Sequence, residues 1–123
     1  ATTFTAGSQN SAVARTATAD GTGTGTIAAG TSFVSVTSGN ADHIVVLPAP
    51  VVGNSIMLHV AANGYELRTN NPGSVKLNNV NGAGKELAVA ANTVIRCTCV
   101  SSTDWIAEKI SNVGAPAGGG TPD

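Results

Sequence analysis

Charge is what this chain has least of: only 11% of its 123 residues are charged, against about a quarter in an ordinary soluble domain. Six Lys and Arg nearly cancel seven Asp and Glu, leaving a formal net charge of -1. A nucleic-acid binder needs clustered Lys and Arg to displace counterions from phosphates, and a polybasic membrane-surface protein needs the same. Here the basic residues are few and scattered, so neither nucleic acid nor a membrane is an expected partner. Aromatics are equally scarce, at 3%. No run approaches the ~18 consecutive apolar residues of a transmembrane helix, and the opening residues carry Thr, Ser, Gln and Asn in place of a basic start and an apolar stretch. The expectation is a chain with neither a membrane span nor a signal peptide. The two cysteines, Cys97 and Cys99, are separated by a single residue. Successive same-face positions on one strand seldom bring their sulfurs together without strain, so no structural disulfide is expected and a reducing origin fits best.

What is abundant is small and neutral. Hydrophobic residues make up 41% of the chain and Gly alone supplies 15, with Thr, Ser and Asn filling the space that charge leaves. This is apolar material for one core and one domain. A near-zero net charge also removes the repulsion that keeps weakly hydrophobic chains unfolded. A surface of hydroxyls and amides lowers the repulsion between protein surfaces, which fits a component of an assembly.

Residues 1–30 read as an extended arm of Ala, Thr and Gly, with the run Gly21-Thr22-Gly23-Thr24-Gly25-Thr26 near its end; Thr disfavours a helix by its branched carbon and Gly by its backbone freedom. Such an arm stays extended or mobile unless a neighbouring surface receives it. Residues 31–112 read as the folded domain, and residues 113–123, with Pro116, Pro122 and three successive glycines, as a flexible tail. Within the domain, apolar residues recur with period two and short apolar runs are separated by turn residues. The predicted fold is all-β: a single antiparallel β-sandwich or barrel-like domain with an extended N-terminal arm and a flexible C-terminal tail.

The expected strands follow from this pattern. Residues 32–37 and 43–47 form a hairpin through the turn-rich residues 38–42. Leu47-Pro48-Ala49-Pro50 then halts the ladder, because proline has no amide hydrogen. Residues 55–60 place Ile56, Leu58 and Val60 on one face, and Asn63-Gly64 turns this strand into a hairpin with residues 65–69. Val75 and Leu77 share a face of a short strand, whereas the Ala-rich residues 85–91 leave helix and strand both open. Residues 93–100 read as a central strand with Ile95, Cys97 and Cys99 on one face. A last strand over 105–110 is joined to it through residues 101–104, favoured here as a hairpin turn over a helix cap.

No catalytic constellation emerges. Asp42 and His43 are adjacent, so on a strand they face opposite ways and cannot line one pocket. Cys97, Cys99, His43 and His59 lack any zinc spacing, and buried thiols are the plainer reading. The glycines at 21–25 look like a phosphate loop, but no Lys follows and no apolar strand precedes. Glu66, Glu86, Asp104 and Glu108 are far apart in sequence with nothing nearby to raise a proton affinity, and they read as solvated. Tyr65 and Trp105 are the only large amphipathic rings, and a lone Trp beside a turn is more often a core plug than a platform for sugar. The chain is expected to be non-enzymatic, with no catalytic residue, cofactor or metal.

Residues 43–110 resemble the small β-sandwich domain of capsid decoration (cement) proteins and other virion-surface proteins of tailed bacteriophages. The features that carry the resemblance occur in a set order. An apolar strand ends in Leu-Pro, His43-Ile44-Val45-Val46-Leu47-Pro48, and Gly53 opens the next. A glycine-containing turn and apolar strand follow at Asn63-Gly64-Tyr65-Glu66-Leu67, then an amide-rich loop at Leu77-Asn78-Asn79. A late Cys-bearing strand and a turn with Trp, Asp104-Trp105, complete the set. The chain departs from the pattern in the Ala-rich residues 86–91 and in its long arms. The resemblance implies a homotrimer on the outer surface of the virion, synthesised in the host cytoplasm. Such a trimer seats at three-fold or quasi-three-fold points of an expanded head and ties subunits of the major capsid protein together. It carries over no binding residues. The arm supplies the candidate contacts to the shell or to neighbouring copies: Thr2, Thr3, Phe4, Thr5, Val13, Arg15, Thr24 and Thr26, which would trade ordering entropy for contact surface. The alternative is a receptor- or glycan-binding module of a phage fibre, spike or head fibre, in which loops 70–73 and 78–84 carry recognition.

Overall fold

The computed structural model describes residues 12–111, 116–117 and 120–123. Ten strands occur among them: β1 (Val13–Thr16), β2 (Phe33–Thr37), β3 (Ile44–Val46), β4 (Ser55–Val60), β5 (Tyr65–Arg68), β6 (Lys76–Leu77), β7 (Leu87–Val89), β8 (Thr93–Ser101), β9 (Asp104–Ser111) and β10 (Pro116–Ala117). The described residues hold no α-helix, only a 3-10 turn at Gly23–Gly25. A large sheet runs in the order β1-β2-β4-β8-β9-β10, with β6 also pairing β9, and a small sheet runs β3-β5-β7. The protein is therefore all-β and built of two sheets.

Alternation decides which side of each strand is buried. Ile56, Leu58 and Val60 of β4 and Ile95, Cys97 and Cys99 of β8 all point inward, as their period of two requires. They join Val34, Val36 and Trp105 of the large sheet and Val45, Tyr65, Leu67, Leu87 and Val89 of the small one in a single core cluster. Within residues 85–91 a short strand forms at Leu87–Val89, with Leu87 and Val89 buried on either side of exposed Ala88. The β8–β9 hairpin forms as expected, with Cys97 opposite Ala107 and Cys99 opposite Trp105. β8 lies between β4 and β9, in the interior of the large sheet.

Two expected hairpins are absent, and the fold is not purely antiparallel. β2 pairs not with β3 but with β1 and β4, both in parallel, and β3 pairs in parallel with β5. β4 and β5, read as a hairpin, likewise lie in different sheets. The chain winds instead: Val13 lies beside Val34, and Val34 beside Leu58, each one circuit further along. A parallel pair needs a crossover: between β2 and β4 it passes through β3 of the opposite sheet, between β3 and β5 through β4, and between β1 and β2 it bridges to the edge of β3 at Thr18 and Thr26. The physical reason is that a turn rich in Asn and Gly reverses the chain equally well within a sheet or between two. Stacking of successive turns goes with the second outcome. The Nδ2 of Asn63, whose φ is 59°, donates to the carbonyl of Ser38 (3.0 Å) one circuit earlier. The N–H of Asn92 donates to the carbonyl of Ala61 (3.0 Å).

The described part of the arm belongs to this winding, and the surface that receives it is the chain's own. Ala17 and Ile27 are buried in the core. The N–H of Thr18 donates to the carbonyl of Ile44 (3.1 Å) and that of Ile27 to the carbonyl of Val46 (2.9 Å), covering the edge of β3. Gly21 explains the low-complexity run: its φ is +79°, and a Cβ there would stand 2.6 Å from Val46 Cγ2 and 2.8 Å from Ile44 Cγ2. Only glycine permits both the backbone and the approach. The described tail residues are also tied down rather than loose. Pro122 is buried, and Glu86 and Asp123 exchange both backbone hydrogen bonds (3.2 and 2.9 Å). Asn78 Nδ2 donates to the carbonyl of Gly120 (3.0 Å).

Candidate interaction surface

The same alternation that fills the core builds a broad outer face on the large sheet. Its rows follow the register. Phe33, Met57, Arg96 and Glu108 stand side by side across four strands, as do Ser35, His59, Val94 and Ile110. Ser55, Thr98 and Ile106 form a third row. Arg96 and Glu108 neutralise each other, with Nε and Nη2 of the guanidinium both donating to Oε1 (2.9 and 2.7 Å). The rest of these rows is aliphatic, aromatic or hydroxyl apart from His59, so the face carries little net charge.

One corner of this face concentrates apolar exposure. Val51, Val52, Val100 and Ile106 are 54%, 64%, 51% and 45% exposed. The backbone gathers them: the N–H of Asn54 donates to the carbonyl of Val51 (3.0 Å), closing a tight turn. The N–H of Gly53 donates to the carbonyl of Cys99 (2.9 Å), and the N–H of Cys99 to the carbonyl of Asn54 (2.8 Å), which sets that turn beside the end of β8. Ile106 opposes Thr98 on the neighbouring strand. Sequence reading did not single out this corner. Its signal is the pair Val51-Val52 between Pro50 and Gly53, aliphatics in a stretch where turn chemistry favours polar residues.

The proposed contact residues of the arm fall in two groups. Thr2, Thr3, Phe4 and Thr5 lie outside the described residues. Val13 and Arg15 sit half-buried on β1, on the same side as buried Val34 and Val36. The hydroxyls of Thr24 and Thr26 are engaged within the chain, donating to the carbonyls of Thr16 (3.1 Å) and Gly21 (2.9 Å).

The chemistry-bearing side chains are dispersed. Cys97 and Cys99 are buried free thiols, and burial pushes Cys97 up to about 12. His59 lies on the outer face of β4, across the sheet from them. Among the described residues, no three His, Cys, Asp or Glu side chains gather to hold a metal. Tyr65 and Trp105 are 1% and 0% exposed, so neither ring is presented to a ligand. No family model, curated protein or solved structure matches this chain.

One expectation about the acids is overturned. Glu66 is not an isolated solvated carboxylate: partial burial raises its proton affinity, and the charges of Glu86, Asp123 and Asp42 add to the effect while Lys109 opposes it. The pairing of β5 with β7 places Glu66 opposite Ala88, within reach of residues twenty positions away in sequence. Arg68 answers Glu86 directly, Nη2 to Oε2 at 3.0 Å. Among the described residues, no helix is long and apolar enough to cross a membrane.

Proposed function

We propose that this protein is a structural virion component that decorates the outside of an expanded phage capsid and stabilises it as a homotrimer bridging neighbouring subunits of the major capsid protein. Its two sheets form the sandwich of such a domain. The observation that carries the reading is the outer face of the large sheet, broad, of mixed apolar and hydroxyl side chains and nearly without net charge, with an aliphatic corner. Protein surfaces are recognised by faces of this kind through area and shape, and several copies on one shell add avidity that no single contact supplies. The residues of the arm named as contacts, Thr2, Thr3, Phe4 and Thr5 among them, are part of this proposal. Recognition of a glycan draws on exposed rings or convergent polar groups, and the burial of Tyr65 and Trp105 favours the decoration role over the glycan-binding one.

Co-sedimentation with matched unexpanded and expanded shells tests the proposal, with intact host cells as the competing arm. Saturable binding to expanded shells, in multiples of three copies per symmetry site, is the expected result. Binding to cells or their polysaccharide without binding to shells overturns it. Deleting residues 1–11 is expected to weaken shell binding; undiminished affinity removes the arm from the contact.

A further inference from the structure

We infer that the corner formed by Val51, Val52, Val100 and Ile106 is where copies of this chain dock on one another. The inference deepens the decoration reading, from which it takes only that the protein works as several copies. Among the described residues these four are the large hydrophobic side chains that remain exposed, and they come from one turn and two adjacent strand segments at the same end of the molecule. All four are β-branched, so their rotamers are already restricted and little freedom is lost on contact.

The occupant follows from charge and area. No charged side chain belongs to the corner, and the charges that border it come in opposite pairs: beyond Thr98 and Ile106 on one side Arg96 is bound to Glu108, and on the other Asp104, which accepts from Ser101 Oγ, stands beside Lys76 in register. The same corner can therefore meet itself across a rotation axis without the like-charge repulsion that such self-contact otherwise brings. An aliphatic, uncharged patch matches the core of an interface between identical subunits more closely than that of a transient contact with an unlike partner. The four side chains alone fall short of the roughly 800 Å² per partner of a standard interface. The adjoining outer-face residues Ser55, Met57 and Thr98 extend the patch without adding charge. The backbone beneath is already fixed by the hydrogen bonds between Gly53, Asn54 and Cys99, so docking requires no rearrangement.

The test is sedimentation equilibrium of the full chain from micromolar to about 100 micromolar, a range set by the affinities expected of such interfaces. The wild type is compared with Val52→Asp, Val100→Lys and Val100→Asp, and with Ser35→Asp, which lies on the same face but away from the corner. Each variant's fold is checked by its circular dichroism and urea midpoint, since exposed positions tolerate the charge. The expected result is a self-associating wild type, at least a tenfold weaker association for each corner variant, and no change for Ser35→Asp. A wild type that stays monomeric throughout, or corner variants that associate as tightly as wild type, overturns the inference. Shell co-sedimentation is read separately. Self-association through the corner without shell binding sinks the decoration reading and leaves this one standing, whereas shell binding by a monomeric chain sinks this one and leaves decoration standing without the trimer.

Discussion

Ile27→Ala asks whether the Thr- and Gly-rich stretch before residue 31 is an appendage or part of the core. Ile27 is 1% exposed, and its N–H donates to the carbonyl of Val46. Truncation to alanine keeps that backbone bond and removes three buried carbons, worth about 2.4 kcal/mol in transfer at ~0.8 kcal/mol each. The cavity left behind brings the cost into the range of ~2–5 kcal/mol measured for Ile-to-Ala changes in cores. Against a net stability of roughly 6–18 kcal/mol for a chain of this length, a central loss of about 3 kcal/mol is a large fraction. It corresponds to a fall in Tm of roughly 12 °C, or in the urea midpoint of about 1–3 M at typical m-values. Urea unfolding followed by circular dichroism, at fixed protomer concentration so that self-association does not enter, measures it. A loss below about 0.5 kcal/mol, the size of an ordinary surface substitution, refutes the assignment of this stretch to the core.

Three further outcomes are expected. Gly21→Ala combines a forbidden backbone with contacts to Val46 and Ile44 and costs about 2 kcal/mol or more, whereas Gly30→Ala, with positive φ but open space, costs about 1 kcal/mol; paired urea titrations compare them. The fluorescence of Trp105, the sole tryptophan, is blue-shifted and protected from iodide in the native protein because the ring is fully buried, and a water-like spectrum contradicts the packing. Glu66→Gln is more stable than wild type at neutral pH. The folded-state proton affinity of Glu66 lies above its unfolded value, burial being the first cause, so its ionisation opposes folding. That cost disappears as pH falls through the raised folded value to the ordinary carboxylate value of 4.5. Melting curves across this window are expected to converge, and a stability gap that widens on acidification contradicts the sign.

Strands were legible wherever alternation was clean. Ile56, Leu58 and Val60, and again Ile95, Cys97 and Cys99, announce their buried face in the sequence because the strand period is fixed by covalent geometry. Partners were not legible. Residues 38–42 and Asn63-Gly64 carry turn chemistry that says where the chain reverses, not whether it returns in the same sheet, and the parallel pairings of β2 and β3 depend on residues a whole circuit away. Gly21 and Thr26 look like linker residues by composition, yet one permits close packing against Val46 and the other hydrogen-bonds back to Gly21. The nearness of Glu66 to Glu86 and the gathering of Val51, Val52, Val100 and Ile106 arise from strand register and turn placement. Neither has a local signature.

The winding of the first strands also shapes how the protein is made. β4 has a partner for one edge, β2, as soon as it emerges, but its other edge awaits β8. About thirty residues separate Val60 from Thr93, which at ~5–20 residues per second is roughly 2–7 s of synthesis. During that interval an apolar strand with an open ladder is available to any neighbouring nascent chain. The chain therefore passes through an adhesive state before the sequence that shields it exists. A chain ending at Asn92 preserves that state, and light scattering is expected to show it aggregating at concentrations where the full chain stays clear; equal clarity of the two speaks against the hazard.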